Sequence, residues 1–343
     1  MIHLNRRLAV LVLACMAYSA SNVSAQTVAF EGKTISIVNS SSPGGGTDAQ
    51  SRLVSRHIGK YLPDKPSIIV RNMPGAGGLL VASYLYNSAP RDGTVIGLFS
   101  DTNALAPLLQ SQKVEFDPTR FLWIGSLTSY TPLLFASRSS KAQSFSDTKK
   151  TVMSVGASGA GSVSSVYPTF LNRLVGTRFN VINGYKGSAD INLAIERGEV
   201  DGYAAWCWTC IKANKPEWVS VDAPIKILLQ LSFDGDPELN ERQIPRLGDV
   251  ITEQQDKILA QIVFGGAQMA RPFALPPGVD VNIAVAIRKA FKGMVVDPGF
   301  LEDAQRIGEE IHPVYAEWIE RFITSAFSAD KATIARLRTL MSE

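Results

Sequence analysis

The sequence predicts an α/β protein of two lobes facing one another across a ligand cleft, with a helical C-terminal segment. Three observations carry that prediction. Two glycine-rich turns stand near the start, Ser42-Pro43-Gly44-Gly45-Gly46-Thr47-Asp48 and Asn72-Met73-Pro74-Gly75-Ala76-Gly77-Gly78, each after an apolar run and before a helical pattern. A third, Gly156-Ala157-Ser158-Gly159-Ala160-Gly161-Ser162, repeats the arrangement in mid-chain, and from Glu253 onward the pattern is mainly helical. Strands alternating with helices build a parallel sheet covered on both faces.

The elements follow in order. Ile35-Ser36-Ile37-Val38 reads as a buried strand. Residues 47–62 read as an amphipathic helix, with Thr47 and Gln50 in a capping-box pattern and apolar residues recurring at four-residue spacing until Pro63. His57 lies in that stripe and reads as a packed structural residue. Ile68-Ile69-Val70 is the next strand, a helix covers 79–86, and Arg91-Asp92-Gly93 turns the chain into a strand over 95–99. In the middle, a strand over 151–155 leads into the third glycine turn and a helix to about Val175 that contains Pro168 and stops at Gly176. A strand over 179–183 leads to Gly184-Tyr185-Lys186-Gly187-Ser188, where Ser188 is expected to cap a helix over 189–197 ended by Gly198. Strands are expected at 200–204 and 225–231, then helices at 253–263, 281–296, 298–307 and, in pieces, 314–338.

Residues 1–25 read as a secretory signal: Arg6 and Arg7, an apolar stretch from Leu8 to Ala20, and small residues at Val23-Ser24-Ala25. Cleavage after Ala25 is expected to release the chain to the periplasm; the alternative is a lipoprotein anchored at Cys15. The remaining 318 residues carry 32 Lys and Arg against 31 Asp and Glu. A nearly neutral chain without a basic tract argues against nucleic acid as a partner. Two domains fit the length, with lobe I expected over 26–126 plus 235–343 and lobe II over 127–234. Cys207 and Cys210 are placed at the end of a strand or in a loop, as a local disulfide or two packed thiols. His57 and His312 have no ligand-spaced neighbour, so no metal site and no cofactor are expected.

Glycine lets backbone approach a ligand closely, and a helix N-terminus offers unpaired N–H groups at its positive end. Two such turns on neighbouring strands would form an anion site without any cationic side chain.

Six motifs in order resemble those of the substrate-binding proteins of tripartite tricarboxylate transporters, the Bug family: Pro43 to Asp48, Asn72 to Gly78, Asp92-Gly93-Thr94, Phe116-Asp117-Pro118, Gly184-Tyr185-Lys186-Gly187 and Gly198-Glu199-Val200-Asp201. The resemblance covers about 33–340 and is to a divergent branch. It implies a type II periplasmic binding fold, two α/β lobes joined by two crossovers, and a monomer that captures a small carboxylate. It also implies delivery of that ligand to the large and small integral membrane subunits of a transporter.

Carried over by position, the first lobe would contribute Ser42, Gly44, Gly45, Gly46, Thr47, Asp48, Gly75, Ala76, Gly77 and Gly78. The second would contribute Ser158, Gly159, Ala160, Gly161, Ser162, Tyr185, Lys186, Gly187 and Asp201. Asp48 reads as a cap or as a ligand contact, and Asp201 as a backbone partner near the cleft or a contact. Trp206, in the unusual Trp206-Cys207-Trp208-Thr209-Cys210, would stack on a ring-bearing ligand or fill the hinge region. The other functional readings are a ligand-presenting protein for a membrane sensor kinase and a periplasmic hydrolase. Against the hydrolase, the first turn lacks the Lys-Ser/Thr of a P-loop and Gly-x-Ser-x-Gly is missing.

Overall fold

The structure, a computed structural model, describes residues 30–44, 46–109, 114–159, 161–220 and 222–341. The expected signal sequence, Gly45 and Ala160 lie outside the described residues. The strands are β1 (Thr34–Asn39), β2 (Ser67–Asn72), β3 (Val95–Leu98), β4 (Leu122–Ser126), β5 (Pro132–Ser137), β6 (Met153–Ala157), β7 (Phe179–Asn183), β8 (Gly202–Cys207), β9 (Ile225–Gln230), β10 (Pro272–Leu275) and β11 (Val314–Tyr315). The helices begin with α1 (Gly46–His57), α2 (Leu79–Asn87), α3 (Asp101–Leu109), α4 (Val163–Val175), α5 (Ser188–Glu196) and α6 (Trp208–Asn214). They continue with α7 (Pro237–Glu241), α8 (Leu247–Val250), α9 (Gln254–Gly265), α10 (Val281–Met294), α11 (Pro298–Arg306), α12 (Ala316–Phe327) and α13 (Lys331–Met341).

Two sheets form, ordered β11-β4-β10-β3-β1-β2 and β7-β6-β8-β5-β9. β1 pairs in parallel with β2 and β3, and β6 with β7 and β8, as strand–helix alternation demands. Each sheet also takes an antiparallel strand at a crossover, β10 between β3 and β4 and β5 between β8 and β9, and β11 adds a second to the edge of the first sheet beside β4. The sheets are therefore mixed where a parallel sheet was expected: a strand that arrives from the other sheet enters in the opposite direction. Alternation along β1 serves two layers, with Ile35 and Ile37 in one apolar cluster and Val38 in the other. The larger cluster runs without a break from Val81 and Leu105 beside the first sheet to Phe135, Val155 and Leu229 in the second.

Several local expectations change. Helix α1 starts at Gly46, and Gln50 donates Nε2 to Glu309 Oε1 rather than closing a capping box with Thr47. Helix α5 includes Ser188 and has Gly187 at its N-cap, without a side-chain cap. The return from the second sheet, expected at Asp234, comes later. Gln230 binds Asn240 and Ile244, Trp208 Nε1 donates to Glu238, and Arg242 donates to the Val219 carbonyl, so α7 is fastened to the second sheet. At the other end of the chain, α13 packs on α3, α4 and α9. Arg338 there donates to Pro107 O, and Arg173 on α4 donates to Leu340 O.

Candidate functional site

The site is built where the parallel strands end. β1 stops at Asn39, whose buried Oδ1 accepts from Ser41 N (3.0 Å), Ser41 Oγ (3.1 Å) and Asn72 Nδ2 (3.2 Å). Asn72, at the end of β2, also donates to Ser41 O and to Asp48 Oδ1, each at 2.9 Å. One amide side chain therefore ties the first two glycine turns together. Asp48 is 2% exposed and accepts at Oδ2 from Gly44 N and Arg52 Nε, both at 2.9 Å. The Arg52 bond, opposed by burial and joined by those from Gly44 and Asn72, lowers its carboxyl to about 2. Asp48 thus clasps its own turn with its charge turned inward, while Ser42, Gly44 and Gly46 stay exposed.

The second turn is held in backbone conformations that side chains rarely adopt. Gly75 has φ +138°, Ala76 +47° and Gly78 +97°, and Gly78 N donates to Gly75 O at 2.8 Å before α2 begins. An alanine in the left-handed region costs about 1–3 kcal/mol, which such structures accept mostly where geometry serves a ligand. A Cβ at Gly78 would lie 2.3 Å from Asn103 Oδ1, so glycine is required for this turn to meet α3.

The end of β3 adds groups that sequence reasoning missed. Asp101 opens α3 at 1% exposure; its Oδ2 lies 3.4 Å from the hydroxyl of Tyr167 on α4, and its N–H donates to Ala270 O. Burial raises the Asp101 carboxyl to about 6, against the pull of Thr102 N–H, Tyr167 and Arg271. Desolvation and the Asp101 charge push the Tyr130 and Tyr167 phenols above the ordinary tyrosine value. Arg271 directly precedes β10, which pairs with β3 through Phe273 and Leu98, so the arginine enters at the edge where the turns lie. Its Nη2 lies 3.2 Å from the position a Gly46 Cβ would take. Asp101 follows Ser100 in a helix-start pattern that was readable, but nothing local in Ala270-Arg271-Pro272 says that this side chain crosses to the first turn.

On the second sheet, Ser158 N donates to Ser164 Oγ (3.1 Å) and Ser162 Oγ to Gly159 O (2.6 Å), folding the third turn onto the start of α4. Gly161 stays exposed. Tyr185 N donates to Ala157 O (3.3 Å), which brings the Gly184–Gly187 turn beside it. Lys186 is exposed, its backbone N–H donating to Asp190 Oδ2. Tyr167, on α4 just after the third turn, joins this group to Asp101.

Two expected residues lie on the second sheet, Asp201 as the backbone partner that was one of its two readings. Asp201 Oδ2 accepts from Ser154 N and Oγ, in register with the body of β6 rather than its end, so it ties two strands together. Trp206 is 7% exposed, with ring centroids 5.9 Å from Trp218 and 6.4 Å from Phe135, and fills the second lobe's core. Cys207 ends β8, the strand-end alternative of the two expected, and is bonded to Cys210; that it also caps α6, with Cys210 inside that helix, was not expected. Closing so short a loop is worth about 2 kcal/mol. Reduction should therefore lower the melting temperature by only a few degrees; a collapse of the fold on reduction would contradict this.

A cavity of about 720 Å³ lies away from the turns, between α9, α12 and Ser232-Phe233-Asp234, and is walled by Trp318 and Phe322. It shares no residue with them and lacks their convergent backbone donors. Among the described residues there is no cluster of metal-ligating side chains, and no helix is long and apolar enough to cross a membrane.

No family model matches the chain. A UPF0065 protein from the gbd 5′ region of Cupriavidus necator is 26% identical over 333 residues, 94% of this chain and 93% of its own length. A TctC solute-binding protein from Polaromonas matches in structure with a TM-score of 0.65 at 18% identity, over 91% of this chain and 99% of its own. MatC from Rhodopseudomonas palustris, solved with bound malate, gives 0.63 at 19%, over 90% and 99%. Two α/β sheets with glycine turns at the strand ends, and this likeness along nearly its whole length, give the chain the fold of the TctC-type solute-binding proteins and make it similar in sequence to a UPF0065 protein.

Proposed function

We propose that this protein is a periplasmic receptor that holds a small carboxylate between its two sheets and hands it to the large and small membrane subunits of a tripartite tricarboxylate-type transporter. It does so without chemical turnover and as a monomer. The observation that carries the reading is the meeting of the first two glycine turns through Asn72, with exposed glycines at the start of α1. In the first turn of α1 the Asp48 N–H donates to Ser41 Oγ, and the Gly46 and Thr47 N–H groups, without a partner among the described residues, suit a carboxylate. The third turn, across the Tyr167–Asp101 contact, supplies the opposing wall. Contacts made to both walls at once favour the closed arrangement. Malate in the related MatC supports the ligand class.

Gly159 offers a clean test. A Cβ there meets nothing within 4 Å and its φ lies outside the left-handed region, so Gly159→Val should cost the fold under about 0.5 kcal/mol. Affinity for a dicarboxylate such as malate should nonetheless fall at least about tenfold, because the new side chain would fill the cleft wall. Titration calorimetry on both proteins decides the matter: unchanged affinity would remove the third turn from the site.

A further inference from the structure

We infer that Arg271 is the side chain that selects anions at this site, pairing with a ligand carboxylate seated against the N-terminus of α1. The inference rests on the receptor reading above and adds to it a cation that a backbone-only site lacks. The Arg271 guanidinium lies with Nη2, Cζ and Nη1 at 3.2, 3.5 and 3.8 Å from where a Gly46 Cβ would stand. Gly46 is the first residue of a twelve-residue helix, whose N-terminus is its positive end. A fixed cation against that end is electrostatically adverse; cations gain at the other end of a helix.

Only weak partners offset this: the side chain is 37% exposed, and its acidic neighbours are Asp101, felt through charge alone, and Glu309. The guanidinium, with its five N–H donors, has no hydrogen-bond acceptor among the described residues. Its ion-pair partner is Glu309 at 4.0 Å, the outer limit of a contact, and Glu309 Oε1 already accepts from Gln50. Asp48, the carboxylate closest in sequence, is consumed by Arg52, Asn72 and Gly44. Asn39, 0% exposed at the strand end leading into the same turn, likewise keeps its Nδ2 without an acceptor among the described residues. An anion between α1 and Arg271 answers the repulsion and gives the guanidinium an acceptor, and the planar guanidinium fits a carboxylate in two parallel bonds.

The backbone supports the placement. Ala270, directly before Arg271, has φ +40°, a strained value for alanine, and its carbonyl accepts from Asp101 N at 2.9 Å. The Arg271 carbonyl accepts from Ser126 Oγ at 3.2 Å. The side chain is therefore launched toward the first turn from a pinned main chain.

The test is calorimetric titration of the wild type, Arg271→Met and Arg271→Lys with malate, succinate and neutral succinamide, alongside melting of each protein without ligand. Loss of a charge-assisted pair should weaken the best carboxylate roughly 10- to 100-fold in Arg271→Met, with partial recovery in Arg271→Lys. Read near about pH 4.5, where Asp101 is protonated and draws nothing from Arg271, the melting temperature without ligand should hold or rise in Arg271→Met, since a repulsion is relieved; an arginine serving only the fold would lower it. If the wild type binds carboxylates and Arg271→Met binds them equally well, the inference is overturned while the receptor reading stands. If the wild type binds none of the carboxylates, the receptor reading fails and takes this inference with it. Should Arg271→Met not fold, Arg271→Lys alone decides, because equal affinity and equal carboxylate-to-amide preference would again refute the role.

Discussion

Gly78→Val should yield a folded protein that no longer gains thermal stability from any carboxylate the wild type binds. The residue sits at φ +97°, where a β-branched side chain is strained by about 1–3 kcal/mol, and its Cβ would lie 2.3 Å from Asn103 Oδ1. Asn103 is 3% exposed and has little room to withdraw, so the second turn must move instead. Domain stabilities of about 5–15 kcal/mol absorb such a cost, but an anion cradle displaced by about 1 Å does not keep its hydrogen bonds. The expected loss of affinity is at least about a hundredfold. Melting curves with and without malate measure both effects at once, and a full ligand-induced shift in a folded Gly78→Val protein would exclude the second turn.

Asp101→Asn should stabilise the protein above neutral pH and do little near pH 4. Burial raises the carboxyl of Asp101 from an unfolded value of 3.8 to about 6. Between those values the folded chain keeps a proton that the unfolded chain has lost, so stability falls as pH climbs. The contribution is complete below 3.8 and gone above about 6, where the ionised group costs the fold about 3 kcal/mol. Asparagine has no charge to bury and retains an acceptor for Tyr167, so the two proteins should melt alike near pH 4 and diverge by several degrees at pH 8. Parallel stability curves from pH 4 to 8 would show that Asp101 titrates normally. A carboxylate kept in so unfavourable a place beside Arg271 is consistent with selection for the site over selection for stability.

What was legible in the chain was local. The strand-to-helix turns at Gly44–Asp48, Gly75–Gly78 and Ser158–Ser162 announce themselves because glycine content, flanking apolar runs and helix starts lie within a few residues of one another. His57 was legible for the same reason: its place in the α1 stripe matches its Nε2 contact with Asp303 at 2.9 Å and its edge contact with Phe300. Arg271 and Tyr167 were not, since each reaches the site from a distant segment, one by the antiparallel entry of β10 and one by the contact of its hydroxyl with Asp101. Trp206 misled in the opposite way. An aromatic at a strand end suits a ligand or a core equally well, and only Phe135 and Trp218, far off in sequence, decide for the core. Ser188 and Thr47 failed as caps because α5 takes Gly187 as its cap and begins at Ser188, while α1 begins one residue before Thr47, at Gly46.

Helix α13 has a mechanical consequence. It touches α3, which follows β3 of the first sheet, and α4, which follows β6 of the second, and its carbonyl at Leu340 and its Arg338 are bonded to Arg173 and Pro107 across that span. In the receptor proposed above, any movement that parts the two sheets would have to work against these bonds. Motion at α13 would then be a sliding of packed helices rather than their separation. The travel of that slide would limit how far the sheets part and how bulky a solute enters, a dimension set by the far end of the chain rather than by the glycine turns.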